Sequence, residues 1–261
     1  MAAERELLDI SEDAVLGGRL RLRQPLSGHR VGHDAILLAA ATGGSAGELA
    51  VDLGAGIGAA GLALAARVNA IKVALVEIDE TLSRLAGDNA RINGLADRVR
   101  AVACDAEDKN ALAAAGLTAG SADRVLMNPP FHDARRHNVS PDARRRLAHA
   151  GEAGLLARWI ASADFLLKPR GVLTLIWRAD EADKVLDALA DAFGGIAVLT
   201  VAPREGAPSI RVLVRAVKGA LGQPAYRPAL MLNDAQGRPT AAAEAVLRGG
   251  QKLTLVEDEA G

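Results

Sequence analysis

The chain is poor in cysteine and in aromatic residues. Aromatic residues make up 2% of its 261 residues, and Cys104 is the one cysteine. A single cysteine cannot form a disulfide within the chain, so the fold depends on its core, and a hydrophobic fraction of 50% is enough to build one. The scarcity of aromatic side chains argues against an extended surface on which several unpaired bases stack.

The chain also lacks a large net charge and a long apolar run. Its formal net charge is -1 at pH 7, so any attraction to nucleic acid must come from a local cluster of charges. No run has the apolar length of a membrane span, and Met1–Asp13 is acidic, unlike a signal peptide. We therefore expect a cytoplasmic protein with no membrane contact.

Short apolar runs alternate with helix-like segments along most of the chain. Seven runs are predicted to be strands: Glu48–Leu53, Ile71–Glu77, Val99–Cys104, Asp123–Met127, Val172–Trp177, Ile196–Val201 and Ile210–Val217. Helical patterns separate the first six, which predicts an α/β fold with a doubly wound, mostly parallel sheet. The link between the last two runs is too short for a crossover helix, so one strand is expected to be antiparallel.

Two further segments flank this sheet. Gly17 and Gly18 lie between Ala14–Leu16 and Leu20–Leu22 and predict a small N-terminal β-hairpin, because glycine adopts positive φ freely. The segment from Gly219 onward contains several prolines and is expected to be a loosely packed appendage. The predicted organisation is an N-terminal extension with the hairpin (1–30), a main domain (31–218) and a C-terminal appendage packed on that domain (219–261).

A glycine-rich run, Asp52–Gly58, follows the first strand of the sheet. Glycines let the backbone turn sharply and approach a ligand, and a helix that begins near Gly58 directs free N–H groups toward it. Glu77 ends the second strand, where a carboxylate can accept bonds from both hydroxyls of a ribose. Asp52 is expected either to bind the ligand's ammonium group or to hold the loop. The spacing also fits a nicotinamide dinucleotide site, or a tight turn without a ligand.

Asp105 and Ala106 directly follow the third strand. The Asp105 carboxylate can accept a bond from an adenine amine while the Ala106 N–H donates to a ring nitrogen; alternatively, Asp105 caps the next helix. Together with Asp52 and Glu77, this pair favours S-adenosylmethionine over a nicotinamide cofactor.

The fourth strand ends in Asn128–Phe131, with the sequence Asn-Pro-Pro-Phe. Pro129 and Pro130 fix φ, so the Asn128 side chain and the Pro129 carbonyl are expected to point the same way. Both are acceptors and can hold the two hydrogens of an exocyclic amine, while Phe131 stacks on the planar group. The motif predicts methyl transfer to a nitrogen by positioning and hydrogen bonding, without a dedicated nucleophile. A proline turn with Asn128 as a cap and Phe131 in the core is the alternative.

These motifs resemble those of the bacterial adenine-N6 methyltransferases that modify the adenosine beside the anticodon of a valine tRNA. The resemblance covers Val31–Leu38, Asp52–Gly58, Val76–Ile78 and Asn128–Phe131, and it extends over nearly the whole chain. It implies a Rossmann-like class I methyltransferase fold, S-adenosylmethionine as cofactor, tRNA as substrate, and a role for Asp34 in closing over the cofactor. The Asn-Pro-Pro motif also occurs in release-factor glutamine methyltransferases, so a protein glutamine, a guanine N2 amine, or a binding module without activity remain alternatives.

The predicted site therefore has three groups of residues. Those expected to hold the cofactor are Asp34, Asp52, Gly54, Ala55, Gly56, Glu77, Ile78, Asp105, Ala106 and Asn128. Those expected to place the acceptor are Asn128, Pro129, Pro130 and Phe131. A basic cluster, Arg135, Arg136, Arg144, Arg145 and Arg146, is expected to bind phosphates of a folded RNA while the target base is extruded into the pocket. The same arginines also fit a solvated surface with acidic partners. The nearby histidines lack the spacing of metal ligands, so no metal is expected.

Overall fold

The computed structural model describes residues 9–26, 30–130 and 141–255, with the backbone alone from 141 to 153. Its strands are β1 (Ile10–Val15), β2 (Leu20–Pro25), β3 (Leu49–Leu53), β4 (Lys72–Glu77), β5 (Val99–Ala103), β6 (Ala122–Met127), β7 (Leu167–Arg178), β8 (Phe193–Arg204), β9 (Arg211–Lys218), β10 (Ala225–Tyr226) and β11 (Leu230–Asn233). Its α-helices are α1 (His33–Ala41), α2 (Ala59–Arg67), α3 (Glu80–Ile92), α4 (Lys109–Ala114), α5 (Pro141–Leu166), α6 (Ala182–Leu189) and α7 (Ala241–Leu247).

The strands β3 to β9 form the central sheet in the order β5-β4-β3-β6-β7-β9-β8. Neighbouring strands from β5 to β7 are parallel, whereas β9 runs antiparallel to both β7 and β8. The prediction of a mostly parallel sheet with one antiparallel strand is therefore confirmed, and all seven predicted strands are present in a sheet that has nine strands among the described residues. The N-terminal hairpin is confirmed as well, since β1 pairs with β2 in antiparallel register.

The C-terminal segment adds two short strands that the sequence patterns did not indicate. Both β10 and β11 pair in parallel with β8 at the edge of the sheet. Farther along, Leu253 and Leu255 are buried in the core, and α7 packs against α1. The expectation of loose packing is wrong for this segment, because Pro224 and Pro228 border β10 and interrupt the edge strand without preventing its pairing.

Helices cover both faces of the sheet and divide the core into two layers. Leu37 of α1 and Leu62 of α2 belong to one layer, whereas Leu112 of α4 and Trp159 of α5 belong to the other. Since both faces are covered, the central parallel strands are almost entirely apolar. Within the described ranges, no helix is both long enough and apolar enough to cross a bilayer.

Two asparagine side chains attach the hairpin to α3. Asn89 Oδ1 accepts a bond from the Arg23 N–H at 2.8 Å, and Asn89 Nδ2 donates to the Arg23 carbonyl at 3.0 Å. Asn93 makes the same pair of bonds with the backbone of Arg21, at 2.9 and 2.7 Å. Asn89 is fully buried, and its Nδ2 also donates to the carbonyl of Ile57 at 3.1 Å. The amide side chains thus take the place of a neighbouring strand and connect the hairpin to the glycine-rich run.

Candidate active site

The sheet reverses its direction of winding between β3 and β6. From β3 the order continues to β4 and β5 on one side, and to β6 and β7 on the other. Ligands of open α/β sheets bind beyond the carboxyl ends of the strands at such a point. The glycine-rich run after β3, Glu77 at the end of β4 and Asn128 after β6 all lie at these strand ends. The topology therefore places the main predicted site residues along one edge of the sheet.

The glycine-rich run forms a turn that leaves free space beside its backbone. Gly54 and Gly56 have φ of +68° and +56°, a left-handed conformation that favours glycine. The N–H of Ala55 donates to the carbonyl of Val76 at 2.9 Å, which ties the turn to β4. A Cβ on Gly56 would meet no atom within 4 Å, so the main chain is open to a ligand at this point.

Glu77 braces this turn with both of its carboxylate oxygens. Oε2 accepts a bond from the N–H of Gly56 at 2.8 Å, and Oε1 accepts one from the N–H of Asp79 at 2.9 Å. Each carboxylate oxygen can accept more than one hydrogen bond. Glu77 can therefore hold the turn and still accept the hydroxyls of a ribose.

Asp52 is buried beneath the turn, with 2% of its surface exposed. Its Oδ2 accepts a bond from the N–H of Gly61, in the first turns of α2, at 2.8 Å. Burial raises the pKa of Asp52 to about 7; the Gly61 bond acts against this rise, and the nearby Glu77 charge adds to it. Of the two predicted roles for Asp52, this contact corresponds to holding the loop.

The residues after β4 and β5 provide an exposed apolar side chain and a carboxylate. Ile78 is 65% exposed, a large apolar surface directly after Glu77. Asp105 is exposed, and its Oδ1 accepts a bond from the N–H of Glu107 at 2.8 Å. The cap of α4 is Asp108 rather than Asp105. Ala106 is buried beside it.

Asn128 carries an unsatisfied acceptor. Its Oδ1 is buried and has no hydrogen-bond partner among the described residues. A buried polar atom without a partner costs roughly 1–3 kcal/mol, so such an atom at the end of a strand calls for a functional explanation. Of the two prolines that follow, Pro129 is buried and Pro130 is exposed.

Asp34 lies in the first turn of α1, at the same edge of the sheet. Its Oδ2 accepts a bond from Arg211 Nε at 2.8 Å, and both side chains are a little over a quarter exposed. This ion pair joins the beginning of α1 to the beginning of β9, so Asp34 has a protein partner in addition to its proposed role at the cofactor.

Glu107 and Trp159 join this group, although no sequence pattern assigned them to a site. Trp159 Nε1 donates to Glu107 Oε1 at 3.1 Å, and Arg158 Nε donates to Glu107 Oε2. A Cβ added to Gly54 would lie 2.4 Å from Trp159 Cη2, so the indole ring lies directly against the glycine turn. The two partners are 52 residues apart in sequence, so no local pattern indicates that they interact.

Part of the predicted site lies outside the described residues. This applies to Phe131, Arg135 and Arg136, and to the side chains of Arg144, Arg145 and Arg146, whose backbone forms the beginning of α5. Their contacts with base and phosphate stay predictions. In the part of the chain whose side chains are described, no three His, Cys, Asp or Glu residues are grouped as a metal site requires.

The strand order, the glycine turn after β3 and the single antiparallel strand define a class I methyltransferase fold. Residues 27–204 match the family model of the methyltransferase small domain, and the chain belongs to that family. The resemblance inferred from the sequence motifs is thereby confirmed at the level of the family. A crystal structure of a predicted O-methyltransferase from Agrobacterium tumefaciens is 27% identical, with a TM-score of 0.70, and the match covers 84% of this chain and 97% of that one.

Two curated relatives are named for different methyl acceptors. A tRNA1(Val) (adenine(37)-N6)-methyltransferase of Porphyromonas gingivalis is 34% identical over 155 residues, which cover 58% of this chain and 59% of the relative. A release factor glutamine methyltransferase of Chlorobaculum tepidum is 28% identical over 155 residues, which cover 57% of this chain and 52% of the relative. The chain thus spans between half and three fifths of the length of these two relatives.

Proposed function

We propose that the protein is an S-adenosylmethionine-dependent N-methyltransferase that acts on the exocyclic N6 amine of an adenosine next to the anticodon of a tRNA. The observation that carries this proposal is the buried Asn128 Oδ1, which lacks a partner among the described residues at the strand end beside the glycine turn. An exocyclic amine supplies the hydrogen that this oxygen lacks.

The residues at the ends of β3, β4 and β5 fit an adenosine-bearing cofactor. The space beside Gly56 admits a ligand to the backbone, and the Glu77 carboxylate, which accepts one backbone bond on each oxygen, keeps further capacity to accept ribose hydroxyls. The exposed Ile78 side chain offers an apolar surface to an adenine ring, and Asp105 offers an acceptor to its amine. When bound, S-adenosylmethionine supplies an electrophilic methyl group.

Asn128 and Pro129 would then position the attacking nitrogen. With the Asn128 Oδ1 and the Pro129 carbonyl accepting its two hydrogens, the amine lone pair is drawn out of conjugation with the ring and becomes more nucleophilic. Both hydrogen bonds strengthen as positive charge develops on the nitrogen, so they stabilise the transition state more than the bound substrate. The methylated nitrogen is acidic and releases one proton to water, so no dedicated base is needed.

The tRNA assignment is supported by the name of the P. gingivalis relative, a tRNA adenine-N6 methyltransferase, and by the basic cluster in the sequence. Arginine contacts with phosphates supply RNA affinity that falls steeply with salt. We expect the triple substitution of Arg144, Arg145 and Arg146 by Ala to weaken tRNA binding and flatten its salt dependence, with cofactor affinity unchanged. Unchanged tRNA affinity in this variant would refute the predicted role of the cluster.

The proposal is tested by incubating the protein with methyl-labelled S-adenosylmethionine and unmodified total tRNA, followed by nucleoside analysis. We expect label in N6-methyladenosine. The Asn128→Ala variant should lose on the order of 100-fold in rate, the effect of removing one preorganised hydrogen-bond partner of a transition state. Asn110→Ala, an exposed substitution on α4, is the matched control and should retain the parent rate.

The second candidate acceptor is a protein glutamine, which the C. tepidum relative favours. Its side-chain amide has a planar nitrogen with two hydrogens, as does the exocyclic amine that Asn128 and Pro129 are proposed to hold. An assay on a release factor, run beside the tRNA assay, separates the two: label in the protein and none in the tRNA would reject the tRNA proposal. Label in N2-methylguanosine would indicate a guanine acceptor instead. Binding of a nicotinamide dinucleotide would support the alternative function as an oxidoreductase.

A further inference from the structure

The side chain of Trp159 supports the glycine turn from below. The residue is 7% exposed and belongs to the same core cluster as Leu53 of β3 and Met127 of β6. Its contact with Gly54 leaves no room for any side chain at that position, since a Cβ would lie 2.4 Å from Cη2 and 2.9 Å from Cζ3 of the ring. The indole ring is therefore in direct contact with the turn at Gly54 and limits the space on that side of its backbone.

Glu107 fixes the orientation of this indole and joins it to the predicted adenine side of the site. Its Oε1 accepts the Trp159 N–H bond, and its backbone N–H donates to Asp105 Oδ1 at 2.8 Å. A continuous path of contacts thus runs from Gly54 through Trp159 and Glu107 to Asp105. The path joins the turn after β3 to the loop after β5 by way of α5.

We propose that Trp159 is a positioning residue of the cofactor site, held by Glu107, which sets the affinity for S-adenosylmethionine by fixing the Gly54 turn and Asp105 relative to each other. The inference rests on the cofactor in the proposed function and is independent of the identity of the methyl acceptor. Trp159 lies on α5, the helix that follows the Asn-Pro-Pro motif in the sequence.

The affinity of the full-length protein for S-adenosylmethionine, measured by titration calorimetry without tRNA, tests this role. Trp159→Phe removes the indole N–H and shortens the ring, and we expect the Kd to rise about tenfold, which corresponds to the loss of about 1.4 kcal/mol, the size of one hydrogen bond. Glu107→Ala removes the acceptor and should weaken binding in the same direction. The Kd of the double variant should be no higher than that of the single variant with the higher Kd. The two effects should not add, because both substitutions remove the same Trp159–Glu107 bond.

Trp177 provides a matched control within the same chain. Its Nε1 donates to Glu181 Oε2 at 3.0 Å and the residue is 1% exposed, so Trp177→Phe removes a comparable tryptophan–glutamate bond. This variant should bind S-adenosylmethionine as the parent does. A Kd for Trp159→Phe and Glu107→Ala within about twofold of the parent, or equal weakening in Trp177→Phe, would overturn the inference.

A kinetic comparison distinguishes positioning from general damage. Trp159→Phe should raise the KM for S-adenosylmethionine with kcat nearly unchanged, whereas Asn128→Ala should lower kcat. In the Trp177→Phe background, Trp159 is the one tryptophan that remains, and saturating cofactor should change its emission. An unchanged emission would count against the inference. Absence of methyl transfer to tRNA would refute only the proposed substrate, since the binding measurements require no acceptor.

Discussion

Replacing Asp52 by Asn should alter the pH dependence of stability in a specific direction. The pKa of this buried carboxyl is raised from 3.8 to about 7 in the folded protein. In the unfolded chain it ionises near pH 4, so between about pH 4 and pH 7 the folded state holds a proton that the unfolded state has lost. The stability associated with protonated Asp52 is complete below pH 4 and is lost as the pH rises through 7.

The magnitude follows from the size of this shift. One proton corresponds to about 1.4 kcal/mol per pH unit, so the parent should lose on the order of 4 kcal/mol across the interval, with solvent penetration reducing the figure. Asp52→Asn keeps an oxygen that can accept the Gly61 bond and lacks the ionisation. The free energy of unfolding of the variant, relative to the parent, should therefore increase from about pH 4 to pH 7 and then level off.

The assay is urea unfolding followed by circular dichroism at closely spaced pH values. Asp123→Asn is an informative control, because burial alone would raise the Asp123 pKa, but the bonds from Lys168 and from the Leu49 N–H lower it. Asp123 stabilises the fold above its unfolded pKa, and this contribution disappears as the pH falls. Its variant should therefore differ least from the parent in acid. A parallel pH dependence for Asp52→Asn and the parent would refute the reasoning.

Three further predictions concern the same edge of the sheet. Glu77→Ala should raise the Kd for S-adenosylmethionine by more than about tenfold, because it removes a ribose acceptor and the brace on Gly56, and an unchanged Kd in calorimetry would contradict that assignment. Gly54→Ala should lower stability by roughly 1–3 kcal/mol in denaturant unfolding, since it forces a side chain into the Trp159 ring at positive φ; wild-type stability would show that the ring can move freely. Asn89→Leu should lower the free energy of unfolding by about 3 kcal/mol and speed up backbone hydrogen exchange in the hairpin. Exchange rates equal to those of the parent would argue against the attachment of the hairpin by the Asn89 side chain.

The sequence predicted the parallel half of the sheet well. The predicted ends of β3 to β6 differ from the observed ends by at most one residue. For β3, β4 and β6 the reason is burial on both faces, which gives a largely apolar run, whereas β5 lies at the edge of the sheet and has exposed residues. The prediction for β8 was too short, since this strand begins at Phe193 and continues to Arg204, and the added residues include Gly194, Gly195 and Pro203. Such residues carry no strand pattern of their own.

The candidate site residues next to strand ends could also be predicted from the sequence. The residues that contact and position them could not. Glu77 and Asn128 stand out because each directly follows an apolar run. Glu107 and Trp159 do not, because their contact depends on how α5 packs over the loop after β5, and packing between distant segments leaves no periodic signal. Asp52 is an intermediate case: its position was predicted, but its bond to the helix and its raised pKa follow from burial.

The interrupted strand at the end of the sheet has a consequence for behaviour at high concentration. β8 extends over 12 residues, and an uncovered edge of that length would be a template for pairing with another molecule. β10 and β11 occupy this edge, and their own outer side is divided by Pro228, which has no N–H to offer an incoming strand. The C-terminal segment thereby covers the edge of the sheet and disfavours self-association. A chain shortened before Ala225 would leave the edge of β8 uncovered and would be prone to aggregate.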